Sequence, residues 1–257
     1  MTQRTVTLFI LAVLIATGCI ALAVSKAEPK TSEQELSRLE EKDNKIGLSL
    51  RERVRLAKLK GQKKLTFTAW SLSSMDYVSF PGVDTALSVY TVVIAQPVAE
   101  VTYVSPAGEI VTNYKFKIYE VVSEPPASKY PPEPFNGNIR PELLPMQEGE
   151  FVVGALGGTA TVDGVEVTSK FDNFEPFSLH KKYLLFLNFD STKTVGGMGM
   201  GPLSALAIND DGTMQTLDGN PTHSVKRSLD SQFGNSVSQV QIGLRNRAKA
   251  LRSAGSN

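Results

Sequence analysis

Residues 182–190, KYLLFLNFD, carry apolar side chains on both faces of an extended chain: Tyr183, Leu185, Leu187 and Phe189 on one, Leu184 and Phe186 on the other. A strand that is apolar on both faces has to be covered on both sides, so the pattern predicts the central strand of a barrel or sandwich. Other segments read as strands around it. Residues 65–70 (LTFTAW) alternate and are rich in β-formers, and residues 86–97 (ALSVYTVVIAQP) are apolar almost throughout. Residues 101–105 and 109–122 predict a long hairpin turning at Pro106-Ala107-Gly108, with Tyr114, Phe116 and Ile118 inward and Lys115, Lys117 and Tyr119 outward. Residues 150–156 (EFVVGAL) end at Gly157-Gly158, a pair that suits a bulge or a positive φ. Residues 159–168 then predict a hairpin about Asp163-Gly164, and residues 203–208 with 213–217 a last one about 209–212. About eight strands with turn residues between them is the pattern of an antiparallel barrel or sandwich.

Two stretches change from period two to the helical period. In residues 32–64 a Ser32-x-x-Glu35 capping box opens an imperfect stripe of Leu36, Leu39, Ile46, Leu50 and Val54, interrupted by Asp43-Asn44 and Gly47. Its charge is split: Glu33, Glu35, Glu40, Glu41 and Asp43 lie early, and Arg51, Arg53, Arg55, Lys58, Lys60, Lys63 and Lys64 late. A basic patch for an anionic lipid or polymer is one reading; a solvated stalk whose charges match the helix dipole is the simpler one, and is the expectation taken here. Near the C-terminus, Ser236-x-x-Gln239 caps a stripe of Val237, Val240, Leu244, Ala248 and Leu251, with Arg245, Arg247, Lys249 and Arg252 late, where positive charge suits the dipole.

The first residues change the picture from fold to address. Arg4 is followed by twenty uncharged residues, 5–24, the pattern of a secretory signal and enough at ~1.5 Å per residue to cross a bilayer core. Three fates follow: cleavage after Ser25-Lys26-Ala27, retention as a signal anchor, or lipidation of Cys19 within the lipobox-like Ala16-Thr17-Gly18-Cys19. Cys19 is the one cysteine of the 257 residues, so the exported domain holds no disulfide and must rest on its core. That suits a bacterial exported protein, periplasmic or extracellular. The predicted organisation is 1–27 signal peptide or anchor, 28–64 charged helical linker, 65–222 β-domain, and 223–257 C-terminal helical segment. With 27 lysines and arginines against 26 acids, the global charge makes no case for nucleic acid as a partner.

Within the β-domain, residues 123–145 hold seven of the fourteen prolines and cannot form a regular helix or an interior strand. Long loops in compact domains are often functional, so Tyr130, Phe135 and Arg140 are the candidate binding residues, toward an envelope protein or polymer. Catalytic motifs are sparse. Ser178-x-x-Lys181 matches the Ser-x-x-Lys of penicillin-binding proteins and gives the alternative of an envelope serine hydrolase, although that serine must open a helix and this one precedes a strand. The two histidines, His180 and His223, are too few for a His-rich zinc site. Met198 and Met200 around Gly199 suggest gap-filling more than copper, and the glycines of 157–158 and 196–201 lack the Gly-Lys-Ser/Thr of a phosphate loop. Scattered loop acids such as Asp190, Asp210 and Asp211 read as solvated, and no cofactor or metal is expected.

The order of a strand pair ending in Tyr114-x-Phe116-x-Ile118, a Gly157-Gly158 strand, and a Phe171-led approach to Tyr183-Leu184-Leu185-Phe186-Leu187 resembles the netrin-like module, over roughly residues 85–217. That OB-type barrel is shared with tissue inhibitors of metalloproteinases, and the chain is also similar to uncharacterised exported bacterial proteins with cysteine-free barrels. The resemblance implies a mainly β fold, a small antiparallel OB-like, netrin-like β-barrel flanked by an N-terminal charged helix and a C-terminal amphipathic helix, and a bias toward binding rather than catalysis. Inhibition through an N-terminal cysteine does not carry over, because the domain has none. A purely structural, membrane-anchored spacer is the remaining alternative.

Overall fold

A computed structural model describes residues 32–71, 80–126, 139–172, 177–190, 192–198, 200–217 and 224–254. The chain divides into two units, Met1–Gln62 and Lys63–Asn257.

Among the described residues the first unit holds two helices, α1 (Ser32–Ile46) and α2 (Leu50–Leu59). Gly47 ends α1 in the left-handed conformation at φ 76°, its N–H donating to Asp43 O. Ser49 then opens α2 with a full capping box: its hydroxyl accepts from the Glu52 N–H, and the Glu52 carboxylate accepts from the Ser49 N–H at 3.1 Å. The single charged helix expected from the pattern is broken at Gly47, and its charges also meet across the break. Glu35 pairs with Arg55 at 2.6 Å and Glu40 with Lys60 at 2.8 Å, so acids of α1 meet bases of α2 across the break. Lys42 with Glu52, at 2.5 Å, adds a pair of the opposite sense. Lys42, then the Ser49 amide and hydroxyl, hold the Glu52 carboxyl down at about 2 against an ordinary 4.5. Because the folded value is depressed, this support is complete above pH 4.5 and is lost as pH falls toward 2. We expect the protection factor of the Arg53 amide, whose N–H donates to Ser49 O, to fall over that window, and Glu52→Gln to remove the pH dependence; a constant protection factor in the parent protein would refute the assignment.

The second unit is mainly β. Its strands are β1 (Lys64–Ser71), β2 (Thr91–Val104), β3 (Ile110–Ser123), β4 (Glu150–Leu156), β5 (Gly158–Val162), β6 (Val165–Asp172), β7 (Lys182–Phe189), β8 (Gly196–Gly197), β9 (Ala205–Ile208) and β10 (Met214–Thr216), with helices α3 (Val83–Val89), α4 (Ser224–Phe233) and α5 (Val237–Ala254). A seven-stranded antiparallel sheet runs β10-β9-β7-β2-β3-β4, with β8 paired to β7; a second sheet runs β1-β6-β5, in which β1 and β6 are parallel.

The strand expected over 86–97 is corrected at its start. Val83, Ala86 and Leu87 are buried at helical spacing in α3, and extended chain begins only at Tyr90. A short apolar run does not distinguish the two states by periodicity; the turn at Gly82, φ 93°, starts the helix instead. The strand then continues past Pro97 to Val104, because a register shift between Pro97 and Ala99 removes the need for a proline N–H.

β7 is buried on both faces, as its pattern requires. Leu184 and Phe186 join Val92, Ile94 and Leu206 beneath α3, α4 and α5, which contribute Leu87, Leu229 and Leu244. Tyr183, Leu185 and Leu187 join Val93, Phe116, Phe151 and Phe177 on the other face. There Phe116 stacks on Phe151 at 5.4 Å, and Phe177 meets Phe116 and Tyr183 edge-on, each at 5.0 Å.

α5 starts where its capping residues place it, Ser236 Oγ accepting from the Gln239 N–H at 3.3 Å, and buries Val240, Leu244 and Ala248. Gly243 faces the Phe233 ring so closely that a Cβ would lie 2.2 Å from it, which sets the approach of α4 to α5. The dipole is not the sole use of the basic end: Arg247 forks onto Asp84 of α3, and Arg245 pairs with Glu120 of β3.

The Asp163-Gly164 hairpin has both residues left-handed, φ 48° and 80°, as a two-residue turn demands. At the joint between β4 and β5, Gly157 and Gly158 have φ 100° and 117°. A Cβ on Gly158 would lie 2.2 Å from Thr112 Oγ1, an atom already donating to Gly157 O at 2.7 Å. Gly158→Ala should therefore cost roughly 2–4 kcal/mol in urea unfolding, whereas Gly164→Ala, with open space around it, should cost about 1 kcal/mol. Equal costs would show that the Thr112 contact does not constrain the joint.

Candidate functional site

The described parts of the proline-rich segment, residues 123–126 and 139–145, are both tied to the rest of the unit. On the leading side, Ser123 is buried at the end of β3 and the Glu124 carboxylate pairs with Lys193 at 2.9 Å. On the returning side the Arg140 carbonyl accepts from Asn113 Nδ2 at 2.9 Å, and Tyr103 donates its hydroxyl to Asn113 Oδ1 at 3.2 Å. The Arg140 guanidinium lies over the Tyr103 ring, 5.6 Å from its centroid. Burial pushes the Tyr103 phenol up, against the opposing pull of its contacts with Arg140 and Asn113. A single turn, Pro141–Leu143, closes behind Arg140, Leu144 is buried, and Lys115 Nζ donates to Pro145 O at 2.9 Å while pairing with Glu150.

Asn113 is wholly buried in the middle of β3, directly opposite Gly154 of β4. Gly154 has no side chain to spare: a Cβ would lie 2.7 Å from Ile139 Cγ1, so the bare backbone makes the seat on which the returning segment rests. Asn113, Tyr103 and Gly154 were not singled out in the sequence. The alternation that turns Tyr114, Phe116 and Ile118 inward sets Asn113 with Lys115 and Lys117 on the outer face, so the sequence carries no signal of its burial.

Of the candidate binding residues the structure places Arg140 at this anchor; Tyr130 and Phe135 lie outside the described residues, as do Cys19 and His223. Ser178 is exposed in the turn leading into β7, its N–H donating to Tyr183 Oη at 2.8 Å and its carbonyl accepting from the Lys181 N–H. It does not open a helix, and among the described residues no hydrogen bond joins Ser178 Oγ to Lys181 Nζ, so the nucleophile–base contact of a Ser-x-x-Lys site is not made. Met200 is buried in the helix-side core while Met198 packs against the opposite one, which separates the two thioethers. Among the described residues no group of three His, Cys, Asp or Glu is placed to hold a metal ion.

Two loop acids have local partners. Asp190 accepts from the Thr194 and Val195 N–H groups at 2.7 and 3.0 Å and from both threonine hydroxyls of its loop. Partial burial pushes its carboxyl up, but these hydrogen bonds outweigh it and the group lies below the usual carboxylate range. Asp211 is held in the same way by the Thr213 hydroxyl and amide. Both acids shape turns.

Compared with protein-family models, curated proteins and solved structures, the chain matches none. The arrangement itself is an anchor: the buried Asn113 amide and the Tyr103 ring beneath the Arg140 guanidinium fasten the returning side of the segment to the sheet. Asn113→Ala removes the hydrogen bonds that the Asn113 amide makes to the Tyr103 hydroxyl and the Arg140 carbonyl and should cost about 2 kcal/mol of stability. It should also open a new proteolytic site in residues 139–145, read by mass spectrometry of a brief digest; protection equal to the parent would dismiss the anchor.

Proposed function

We propose that the chain is an exported, non-enzymatic β module of the bacterial cell envelope that holds a protein or envelope polymer through residues 123–145. The observation that carries the reading is the fastening of Arg140 to Asn113 and Tyr103 on one arm, with Glu124 on Lys193 on the other. Binding residues are most often displayed on loops fixed to a rigid scaffold, and fastening both flanks of a segment lowers the ordering cost of a contact made through it. Tyr130 and Phe135 are the side chains this reading assigns to the contact, with Arg140 at its base.

The same reading takes the second unit as an OB-like, netrin-like small barrel. It is supported by the bulged β2–β3 pair, by β8 on β7, and by the bridge between Val152 of β4 and Val195, which bring β4 beside the far end of β7. The uncharged run 5–24 supports export, with cleavage before Glu28, anchoring, or lipidation of Cys19 as its three forms. Among the described residues no helix is long and apolar enough to cross a membrane.

The test has two parts. Deleting residues 130–135 should abolish cross-linking to the envelope partner in intact cells while the thermal transition stays within about 2 °C of the parent; unchanged cross-linking would sink the proposal. Intact mass from separated membrane and soluble fractions, beside Cys19→Ser, reports the address: a soluble chain beginning at Glu28 marks a diffusing factor, a membrane-held species an anchored one, and full-length protein in the cytoplasm contradicts export.

A further inference from the structure

Residues 194–198 are the segment through which β4 and the end of β7 meet. The chain turns at Asp190 and lies back on β7, Asn188 opposite Gly197 and Phe189 opposite Gly196. The same segment reaches β4: the Val152 N–H donates to Thr194 O at 2.9 Å, and Val152 bridges to Val195. The Asp190 carboxylate fixes the turn, but its hydrogen bonds end at Val195. Beyond it the pairing is two residues of β8, too short to hold by backbone alone, so side chains have to keep the segment down. Glycine leaves few of them. Gly196 lies bare against the core, where a Cβ would stand 3.1 Å from the Phe151 ring and 3.3 Å from Leu187, and Gly197 and Gly199 supply no side chain. Val195 is buried outside both core clusters, and Met198 alone in this segment packs against the cluster of Phe116, Phe151, Phe177 and Tyr183.

Met198 also differs from the other methionines among the described residues. Met200, two residues on, is 0% accessible within the helix-side core, and Met214 is 3% accessible. Met146 is half-buried, as Met198 is, but belongs to neither core cluster. Solvent access and contact with a core therefore coincide only at Met198. A thioether suits an aromatic cluster, whereas its sulfoxide is polar and chiral and does not.

We propose that Met198 is a redox-sensitive clasp: hydrogen peroxide converts it to the sulfoxide, its side chain leaves the aromatic cluster, and residues 194–198 part from β4 and from the end of β7. In this step a sulfur lone pair attacks one peroxide oxygen, and the S–O bond forms as the O–O bond breaks. The proton on the transferred oxygen passes to the departing one, which leaves as water; sulfur loses two electrons and the peroxide gains them. A thiol-dependent sulfoxide reductase reverses the change. Lys193 of the same loop holds Glu124, so release of the loop reaches the leading flank of residues 123–145. The switch itself does not depend on what that segment holds.

Mild hydrogen peroxide treatment of the full-length protein, followed by peptide mass mapping and amide hydrogen exchange, tests the assignment. Met198 should gain one oxygen while Met200 and Met214 stay reduced. The amides of Val152 and Asp190, which donate to Thr194 O and Val195 O, should lose about tenfold in protection. The thermal transition should fall by about 4 °C, and methionine sulfoxide reductase should restore both. Met198→Leu, a volume-conserving change, should keep the parent's protection and lose the response to peroxide, whereas Met146→Leu should respond as the parent does. Met198→Gln, which puts a polar head on a stem of similar length, should lose protection at the two amides without oxidant. Met198 left reduced, unchanged protection once it is oxidised, or an undiminished response to peroxide in Met198→Leu overturns the proposal.

Discussion

The double coverage that β7 requires governs the second unit. A strand with Leu184 and Phe186 on one face and Tyr183, Leu185 and Leu187 on the other, all essentially inaccessible, gains from burial only if both faces are roofed. One roof is helical: α3 precedes β2, while α4 and α5 return from the far end of the chain to the same face. The other is aromatic, Phe116, Phe151 and Phe177 closing over Tyr183 through β3, β4 and the turn before β7. The ion pairs of Arg247 with Asp84 and Arg245 with Glu120 lie at the rim of the helical roof. They are exposed enough that alignment, more than stability, is their contribution.

Much of this was legible in the sequence because period and punctuation agreed. The β7 pattern, the EFVVGAL strand, the Asp163-Gly164 turn and the Ser236 cap each combine a hydrophobic period with a residue type that only one backbone conformation suits, and each is found at its expected place. The failures arise where a single signal stood alone. The apolar run at 86–89 had no period long enough to separate helix from strand, and α4, which buries only Val225 and Leu229, offered a weak stripe. The charges of 32–64 were read along one helix, whereas their partners lie on the next helix after Gly47.

Two clusters of side chains differ in how visible they were. Arg140 stood out within a proline-rich stretch, but the residues that hold it, Asn113 and Tyr103, are brought to it only by strand pairing across β2 and β3. The contact of Lys182 with Tyr119 is more thoroughly hidden. Lys117 and Tyr119 were assigned to the outer side of one strand, yet their neighbour Lys182 comes from another strand, and the bulge that turns Tyr119 toward it exists only in the register of the sheet. Alternation along one strand cannot disclose a cross-strand cluster.

The parallel pairing of β1 with β6 sets the order in which the second unit can assemble. Lys64 is opposite Glu166, so the first strand waits for a partner roughly a hundred residues downstream, after β2, β3 and β4 have been laid down. The antiparallel hairpins β2–β3 and β5–β6 join neighbours in the chain and can close first, with β1 added last to the edge that β6 presents. Until then the alternating segment LTFTAW is an unpaired strand at the leading end of the β unit. The pairing that completes the small sheet thus spans about as much chain as that of β2 with β7, and it covers the edge that β6 would otherwise present.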